Sequence, residues 1–368
     1  MIFCANPGAS AQVHQVEIEE ALQRVIHGNR YILGPELELL EKEFADYIGT
    51  RCAIGVANGT DALELALSCL GIGRGDEVIT VSHTAVATVA AVEAAGAVPV
   101  LVDVDPIAYS LNPSNLESVI SDKTKAVIAV HLYGQAADLN GIQRFCKQNN
   151  LELIEDVSQA HGARWNGQRL GSIGRVACFS CYPTKNLGAI GDAGLITTND
   201  LELGKRIRMM REYGWEERYV SSLAGRNSRL DELQAAILRI KLRYLDENNK
   251  KRRHLASFYS EELKSTSLNL PRENFHESDH VFHLYVVKVK EREGLLKYLK
   301  EHDIHPGIHY PVPIHLQPAY SKRIRCSDSM DTTEELSRTV LSLPMYPELE
   351  LSQASEVVRT IKEYEKKL

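Results

Sequence analysis

Three short stretches carry residue types that could do chemistry together: Asn58, Gly59 and Thr60 in "VANGTDALELAL", Asp156 and Gln159 in "LELIEDVSQAHGA", and Ser180 and Lys185 in "CFSCYPTKNLGAIGDAG". The first follows a β-rich run and opens a helix-like one. A helix start beside a glycine offers free backbone N–H groups and the positive end of the helix dipole, an arrangement that receives a phosphate. Asn58 and Thr60 equally suit a plain N-cap, and both readings stand here. No G-x-G-x-x-G or P-loop pattern occurs, which disfavours a dinucleotide or a nucleoside triphosphate.

In the second stretch Asp156 ends an apolar run. The carboxyl ends of strands in open α/β sheets face the ligand crevice. A carboxylate partly desolvated there needs a positive partner, unless it serves as a helix cap. Gln159, three residues on, can reach the same ligand from another angle. His161 reads as a packed histidine rather than a catalyst. In the third stretch Gly188, Gly191 and Gly194 let the backbone fold tightly around Lys185. Ser180 could donate to the phosphate, and Tyr182, Pro183 and Thr184 stiffen the approach. An enclosed lysine loses hydration, its pKa falls, and its neutral amine becomes available for Schiff-base chemistry. A phosphate cradle, a strand-end carboxylate and an enclosed lysine are together what pyridoxal 5'-phosphate requires.

Two other clusters point elsewhere on first inspection. Cys178 and Cys181 form a C-x-x-C, but a zinc site needs a second pair and a redox site a helix start, so they read as strand-end thiols. His302, His305, His309 and His315 crowd one region. Pro306, Pro311 and Pro313 interrupt any helix there, so helical ligand spacing is absent and no metal is expected.

The elements that must position these residues follow from periodicity. "CAIGVA", "EVITV", "VPVLVDV", "KAVIAVHLY", "LELIED", "RVACFS" and "AGLITT" read as short strands. Helix-like segments over residues 60–70, 85–94, 113–120 and 139–149 lie between them. This alternation implies crossover connections and a mostly parallel sheet. Two helices precede it within residues 14–47, and a charged helix covers about 200–212. "SRLDELQAAILRIKLRYLDENNKKRRHLASFYSEEL" keeps helical periodicity throughout and reads as one long helix. The remainder, with two helical stretches, suits a small α+β unit. The expected division is a large domain over residues 1–245 and a small one over 246–368.

The chain has 368 residues, 44% of them apolar and 25% charged, with a net charge of −7. That balance is of an ordinary globular protein and disfavours nucleic-acid binding. The long apolar stretch "TAVATVAAVEAAGAVPVLV" is interrupted by Glu93, Gly96 and Pro99, and reads as helix, turn and strand rather than a membrane span. The start "MIFCANPGASAQ" has no secretory pattern. Seven cysteines without framework spacing fit reduced thiols. A cytoplasmic protein is expected.

The segments quoted above, with "YILGPELELLEKEFADYIG", "GDEVITVSHTAVAT", "GRNSRLDELQAA" and "HYPVPIHLQPAY", resemble in order and nearly end to end the DegT/DnrJ/StrS-type nucleotide-sugar aminotransferases. The resemblance implies a pyridoxal-phosphate-dependent transferase of fold type I, like aspartate aminotransferase, with helices on both faces of a mostly parallel sheet. It implies that Lys185 forms the Schiff base and shuttles a proton, that Asp156 pairs with the ring nitrogen, and that Gln159 meets the phenolic oxygen. Gly59, Thr60 and Ser180 would hold the phosphate, joined by Asn227 of a second copy, so that a homodimer shares its sites. Tyr182, His309, Tyr310 and His315 would line the sugar pocket, and Arg218 would either meet a diphosphate or remain exposed. Many relatives carry an aromatic ring where this chain has Ala85. Its stacking is then missing or supplied by another group; His83 is either that group or a packed histidine.

The expected reaction moves an amino group, from L-glutamate, to a nucleotide-linked keto-sugar. "SHTAVAT", "KNLGAIGDAG" and "NSRLDELQAA" most resemble the enzymes that aminate dTDP-3-keto-6-deoxyhexoses, giving a dTDP-3-amino-3,6-dideoxyhexose. A 4-keto-sugar aminotransferase is the alternative. A pyridoxal-phosphate sugar dehydratase would carry histidine in place of Lys185, and a non-catalytic regulator would need neither Lys185 nor Asp156.

Overall fold

The computed structural model describes residues 1–272, 274, 275 and 278–367. Of the expected small domain, residues 273, 276, 277 and 368 thus lie outside the described set. Among the described residues the largest sheet has eight strands, in the order Arg325–Cys326, Val98–Val102, Glu77–Val81, Thr124–Val130, Glu152–Asp156, Val176–Ser180, Gly194–Thr198 and Cys52–Val56. All neighbours pair in parallel except Gly194–Thr198, which is antiparallel to both of its partners. The seven expected strands are all present. The eighth, Arg325–Cys326, is only two residues long and had no periodicity to reveal it.

The sheet lies in one continuous core with residues of the helices Pro35–Ile48, Gly59–Cys69 and Leu139–Asn149. Most strand positions are buried on both faces, which is why these runs read as unbroken apolar sequence rather than alternation. Glu155 is a charged exception inside a strand. It is fully buried, accepts backbone N–H bonds from Gly171, Ile173 and Gly174 at 3.0, 2.9 and 2.8 Å, and meets His131 Nε2 at 3.2 Å. Successive strand residues face opposite sides, so Glu155 ties down the loop behind the sheet and leaves Asp156 to the other face.

A second core gathers Leu255, Tyr259, Tyr285, Leu299, Leu341 and Val357. The N-terminal strand Ile2–Phe3 pairs with Ile304–His305, and Ile2 joins that core. No helix among the described residues is long and apolar enough to cross a membrane.

Two expected helices differ from what forms, and the C-terminal helix count differs as well. The long one is broken into Glu232–Arg243 and Leu245–Leu263 at Tyr244, whose ring stacks on His14 at 4.1 Å and whose hydroxyl donates to Glu17 at 2.6 Å. That anchorage to the helix Gln15–Ile26 fixes the break, and local periodicity does not report it. The segment 113–120 forms only the single 3₁₀ turn Pro113–Asn115. Asn112 accepts from both the backbone and the hydroxyl of Ser114, a local bond that competes with helix propagation. Among the described residues the C-terminal part holds three α-helices, Arg292–Glu301, Asp331–Thr339 and Leu351–Glu365, instead of the expected two. Asp331–Thr339 has its N-terminal N–H groups at Thr332 and Thr333 bonded by Asp103 at 2.9 and 2.8 Å, a partner distant in sequence.

Candidate active site

The ladder register places the three chemistry-bearing stretches side by side. Asp156 pairs with Val130 and Cys178, and Ser180 pairs with Gly194, which in turn pairs with Val56. Asp156, Ser180 and the turn that follows Val56 therefore share one edge of the sheet. They line a cleft of about 540 Å³ together with Gly59, Thr60, Gln159 and Lys185.

Asn58 resolves the first ambiguity by doing the capping itself. Its backbone is extended (φ −165°, ψ 176°) and its Oδ1 accepts the Asp61 N–H at 2.9 Å. Among the described residues the N–H groups of Gly59 and Thr60 have no acceptor. They remain open to the cleft at the positive end of the helix Gly59–Cys69. Gly59 is required by close packing, since a Cβ there would lie 2.6 Å from Ser180 Cβ. Gly194 is required likewise, because its Cβ would lie 2.4 Å from the Asn58 carbonyl oxygen. The helix start is thus wedged against the strand ends that flank the Lys185 loop.

Asp156 is 5% exposed. Its Oδ2 accepts from Thr88 Oγ1 at 3.0 Å and its Oδ1 from the Ser158 N–H at 3.2 Å. No cationic side chain among the described residues forms an ion pair with it, so the floor of the cleft holds a buried carboxylate without a contacting counter-ion. Lys185 lies across the same cleft in a turn closed by its own N–H to Tyr182 O at 2.8 Å. Loss of hydration pushes its pKa down to about 8, against the opposing pull of Asp156 and Cys181.

The next residue, Asn186, anchors the loop from beneath. Its Nδ2 donates to Asn249 Oδ1 at 2.8 Å and Val281 O at 3.1 Å, while its Oδ1 faces His283 Nδ1 at 3.2 Å. Asn249 donates in turn to the carbonyl of His161 at 2.8 Å. His161 is fully buried, and burial with the nearby Lys185 charge pushes its pKa down to about 3, so the ring is neutral. Sequence reading missed Thr88, Asn186 and Asn249. The only available signal was that Asn186 directly follows the lysine.

The remaining expected contacts divide. Ser180 and Tyr182 line the cleft, Tyr182 with half its surface open. Gln159 also lines it, with Oε1 accepting the Tyr133 N–H at 2.8 Å and Nε2 donating to Tyr310 Oη at 3.0 Å. His309 Nδ1 bonds Ser342 Oγ at 2.8 Å, and its carbonyl accepts from the Tyr133 hydroxyl. His309, Tyr310 and His315 are not among the residues lining this cleft; His315 sits between Ser82 Oγ at 2.8 Å and Glu334 at 3.4 Å. Asn227 is exposed and does not reach its own chain's cleft. Arg218 is also exposed, between the short strands Trp215–Glu217 and Val220–Ser221, with its guanidinium 5.0 Å from the Tyr219 ring centre. Ala85 forms part of the wall, whereas His83 is buried behind it, edge-on to Tyr133 and Tyr310. His83 is therefore a packed histidine.

The chain is similar to known proteins over nearly its whole length. The profile of the DegT/DnrJ/EryC1/StrS aminotransferase family matches residues 12–362. The chain is 47% identical to the dTDP-3-amino-3,6-dideoxy-alpha-D-galactopyranose transaminase of Aneurinibacillus thermoaerophilus, over 95% of this chain and 96% of that one. It is 44% identical to the dTDP-3-amino-3,4,6-trideoxy-alpha-D-glucose transaminase of Streptomyces venezuelae, over 95% of this chain and 92% of that one. The crystal structure of S. venezuelae DesV in complex with a ketimine intermediate superposes with a TM-score of 0.97 at 43% identity, covering 100% of this chain and 99% of that one.

Proposed function

The chain belongs to the DegT/DnrJ/EryC1/StrS aminotransferase family, is a pyridoxal-phosphate-dependent sugar aminotransferase, and on that premise we propose that it carries an amino group from L-glutamate to C3 of a dTDP-linked 3-keto-6-deoxyhexose. The observation that carries the reading is the placement of Lys185, Asp156 and the open N–H groups of Gly59 and Thr60 around one cleft.

The residues present fit the cofactor. Gly59 and Thr60 N–H with Ser180 Oγ would hold its phosphate, where an added Cβ at position 59 would close the cradle. Asp156, buried without an ion pair, would meet the protonated ring nitrogen, and Lys185 Nζ the aldehyde carbon. Gln159 would donate to the phenolic oxygen. When bound, the group supplies an electron-withdrawing ring that makes the hydrogen on an amine-bearing carbon acidic.

The protein's own contribution is then positional and protonic. A lysine with pKa about 8 has roughly a quarter of its amine neutral near pH 7.5, against about a thousandth for an ordinary lysine. Lys185 Nζ can therefore take a proton from the substrate carbon and return it on the next step. Thr88 and Ser158 hold the Asp156 carboxylate in place for the ring nitrogen.

The charge of the wall supports a shared site. Asp61, Asp156 and Asp192 line the cleft, with Lys185 as the one cationic side chain among the described lining residues. The phosphate, the sugar diphosphate and the donor's carboxylates are all anionic. We assign the missing contacts to a second copy of the chain, with Asn227 reaching the partner site's phosphate and Arg218 the diphosphate. His309 and Tyr310 would face the sugar beyond the cleft lining, a placement supported by the Tyr310 bond to Gln159, with Tyr182 at the mouth. The division at residues 245 and 246 belongs to the same proposal, supported by the separate C-terminal core. So does a cytoplasmic location, supported by cysteines that are all free thiols.

The test is product analysis with glutamate and matched dTDP-3-keto and dTDP-4-keto sugars. The 3-amino product is expected. Turnover of the 4-keto sugar alone would overturn the position assigned to the amine.

A further inference from the structure

Tyr133 has an unfavourable backbone and an unusual set of contacts. It lies in the turn Leu132–Gly134 that follows the strand Thr124–Val130, with φ 60° and ψ 0°, a left-handed conformation that bulky side chains rarely adopt. It is 4% exposed. Four bonds hold it there. Its N–H donates to Gln159 Oε1 at 2.8 Å, and its carbonyl accepts from the Leu284 N–H at 3.2 Å. Its phenol bridges His83 Nε2, 2.7 Å away, and the carbonyl oxygen of His309. The residue that follows must be glycine, because a Cβ at Gly134 would lie 2.8 Å from the His283 backbone nitrogen. A strained residue that is over-determined in this way marks a position where geometry matters.

Proton counting fixes what these bonds do. A carbonyl only accepts, so the single phenolic proton of Tyr133 goes to His309 O. His83 must then donate from Nε2, which leaves its Nδ1 as a bare, buried lone pair, and that nitrogen has no partner. The same logic orients Gln159. A backbone N–H only donates, so the atom facing Tyr133 is the amide oxygen and the NH₂ group faces the other way. One of its hydrogens goes to Tyr310 Oη, and the second is left for the cleft that Gln159 lines.

We propose that Tyr133 is the positioning residue of this site, fixing Gln159 as a donor toward the cleft and holding the His309–Tyr310 segment beside it. Tyr133 does not line the cleft. It acts through Gln159, on the floor, and through the backbone of a segment from the C-terminal part of the chain. The proposal rests on the cleft being the cofactor and sugar site.

The experiment is Tyr133→Phe, which keeps the ring and the backbone bond to Gln159 but deletes the phenol. Holoenzyme is compared for kcat, for KM toward the keto-sugar, and for cofactor absorbance. KM is expected to rise about tenfold, the cost of one net hydrogen bond in placing the His309–Tyr310 segment, with a smaller loss in kcat and unchanged cofactor loading. A lower melting temperature with kcat and KM both unchanged would reduce Tyr133 to a structural residue and overturn the proposal. A second readout needs no cofactor. Nitrogen NMR of histidine-labelled protein should show His83 protonated on Nε2 alone, and that signal should move in Tyr133→Phe. A His83 protonated on Nδ1 would equally overturn it. Unmutated protein that shows this His83 signal but binds no cofactor would refute the functional reading and leave the hydrogen-bond clamp standing.

Discussion

Asp156 and Thr88 meet at 3.0 Å on the floor of the cleft, and this neutral hydroxyl is the only side chain that donates to the carboxylate among the described residues. The helix Val86–Ala94 delivers Thr88, and the strand Glu152–Asp156 delivers its acceptor. Asp156→Asn removes the negative charge that a protonated ring nitrogen needs but preserves shape. Cofactor should still bind, and kcat should fall by about a hundredfold or more, the order expected when a charge partner of the reacting system is lost. Thr88→Val should cost less, about threefold to tenfold, because it loosens the carboxylate without neutralising it. Steady-state kinetics with absorbance of the bound cofactor would separate the two.

Lys185 makes a prediction about stability as well as activity. Its folded pKa of about 8 lies below the ordinary lysine value. Between about pH 8 and 10.4 the unfolded chain therefore holds more protons, so stability rises with pH through that window. Below it the enclosed ammonium costs up to about 3 kcal/mol. In cofactor-free protein Lys185→Met should melt higher than the parent at pH 7, and the gap should close by pH 10. The same variant should lose all turnover and all borohydride-trapped cofactor. A gap that widened with pH would mean the lysine is not held in a desolvated setting.

Gly59→Ala tests the cradle directly. The new methyl would fall 2.6 Å from Ser180 Cβ, so the helix start must shift away from the strand. Overpacking of this kind costs about 1–3 kcal/mol. Affinity for pyridoxal phosphate, read by titration, should drop more than the melting temperature implies, because the shift also moves the open N–H groups. Gly71 is a useful contrast: it has open space around it but a φ of +77°, so its alanine variant should lose stability through backbone strain alone and keep its cofactor affinity.

Sharing of the site between two copies is tested by mixing. Lys185→Ala and Asn227→Ala chains, each weak or inactive alone, should regain activity when subunits exchange, since one of the two sites in a mixed dimer would be intact. Absence of recovery despite demonstrated exchange would place Asn227 outside the partner's cleft.

The readability of this chain followed how local each determinant is. Asp156 and Lys185 could be found because a β-rich run ends at one and glycines surround the other. The seven main strands announced themselves through unbroken apolar runs, since both faces are covered. Tyr133 was invisible because its left-handed turn is imposed by Gln159, Leu284, His83 and His309, none of them sequence neighbours. Asn58 could be read as cap or cradle. The structure divides the labour, with Asn58 capping and Gly59 and Thr60 left open. The resemblance groups His309, Tyr310 and His315; none of the three is among the residues that line the cleft, and Ser82 and Glu334 hold the His315 ring. Tyr244 breaks what periodicity alone would continue, through an anchor on a helix more than two hundred residues earlier.

Ser180 and Gly194 are rung partners in the ladder, so the lysine-bearing loop leaves and re-enters the sheet at a single point. A length change inside that loop would slide the amine relative to Asp156 while the strands kept their register. Reactivity and scaffold are in this sense separately adjustable: evolution, or an engineer, can move the amine without renegotiating the sheet that carries it.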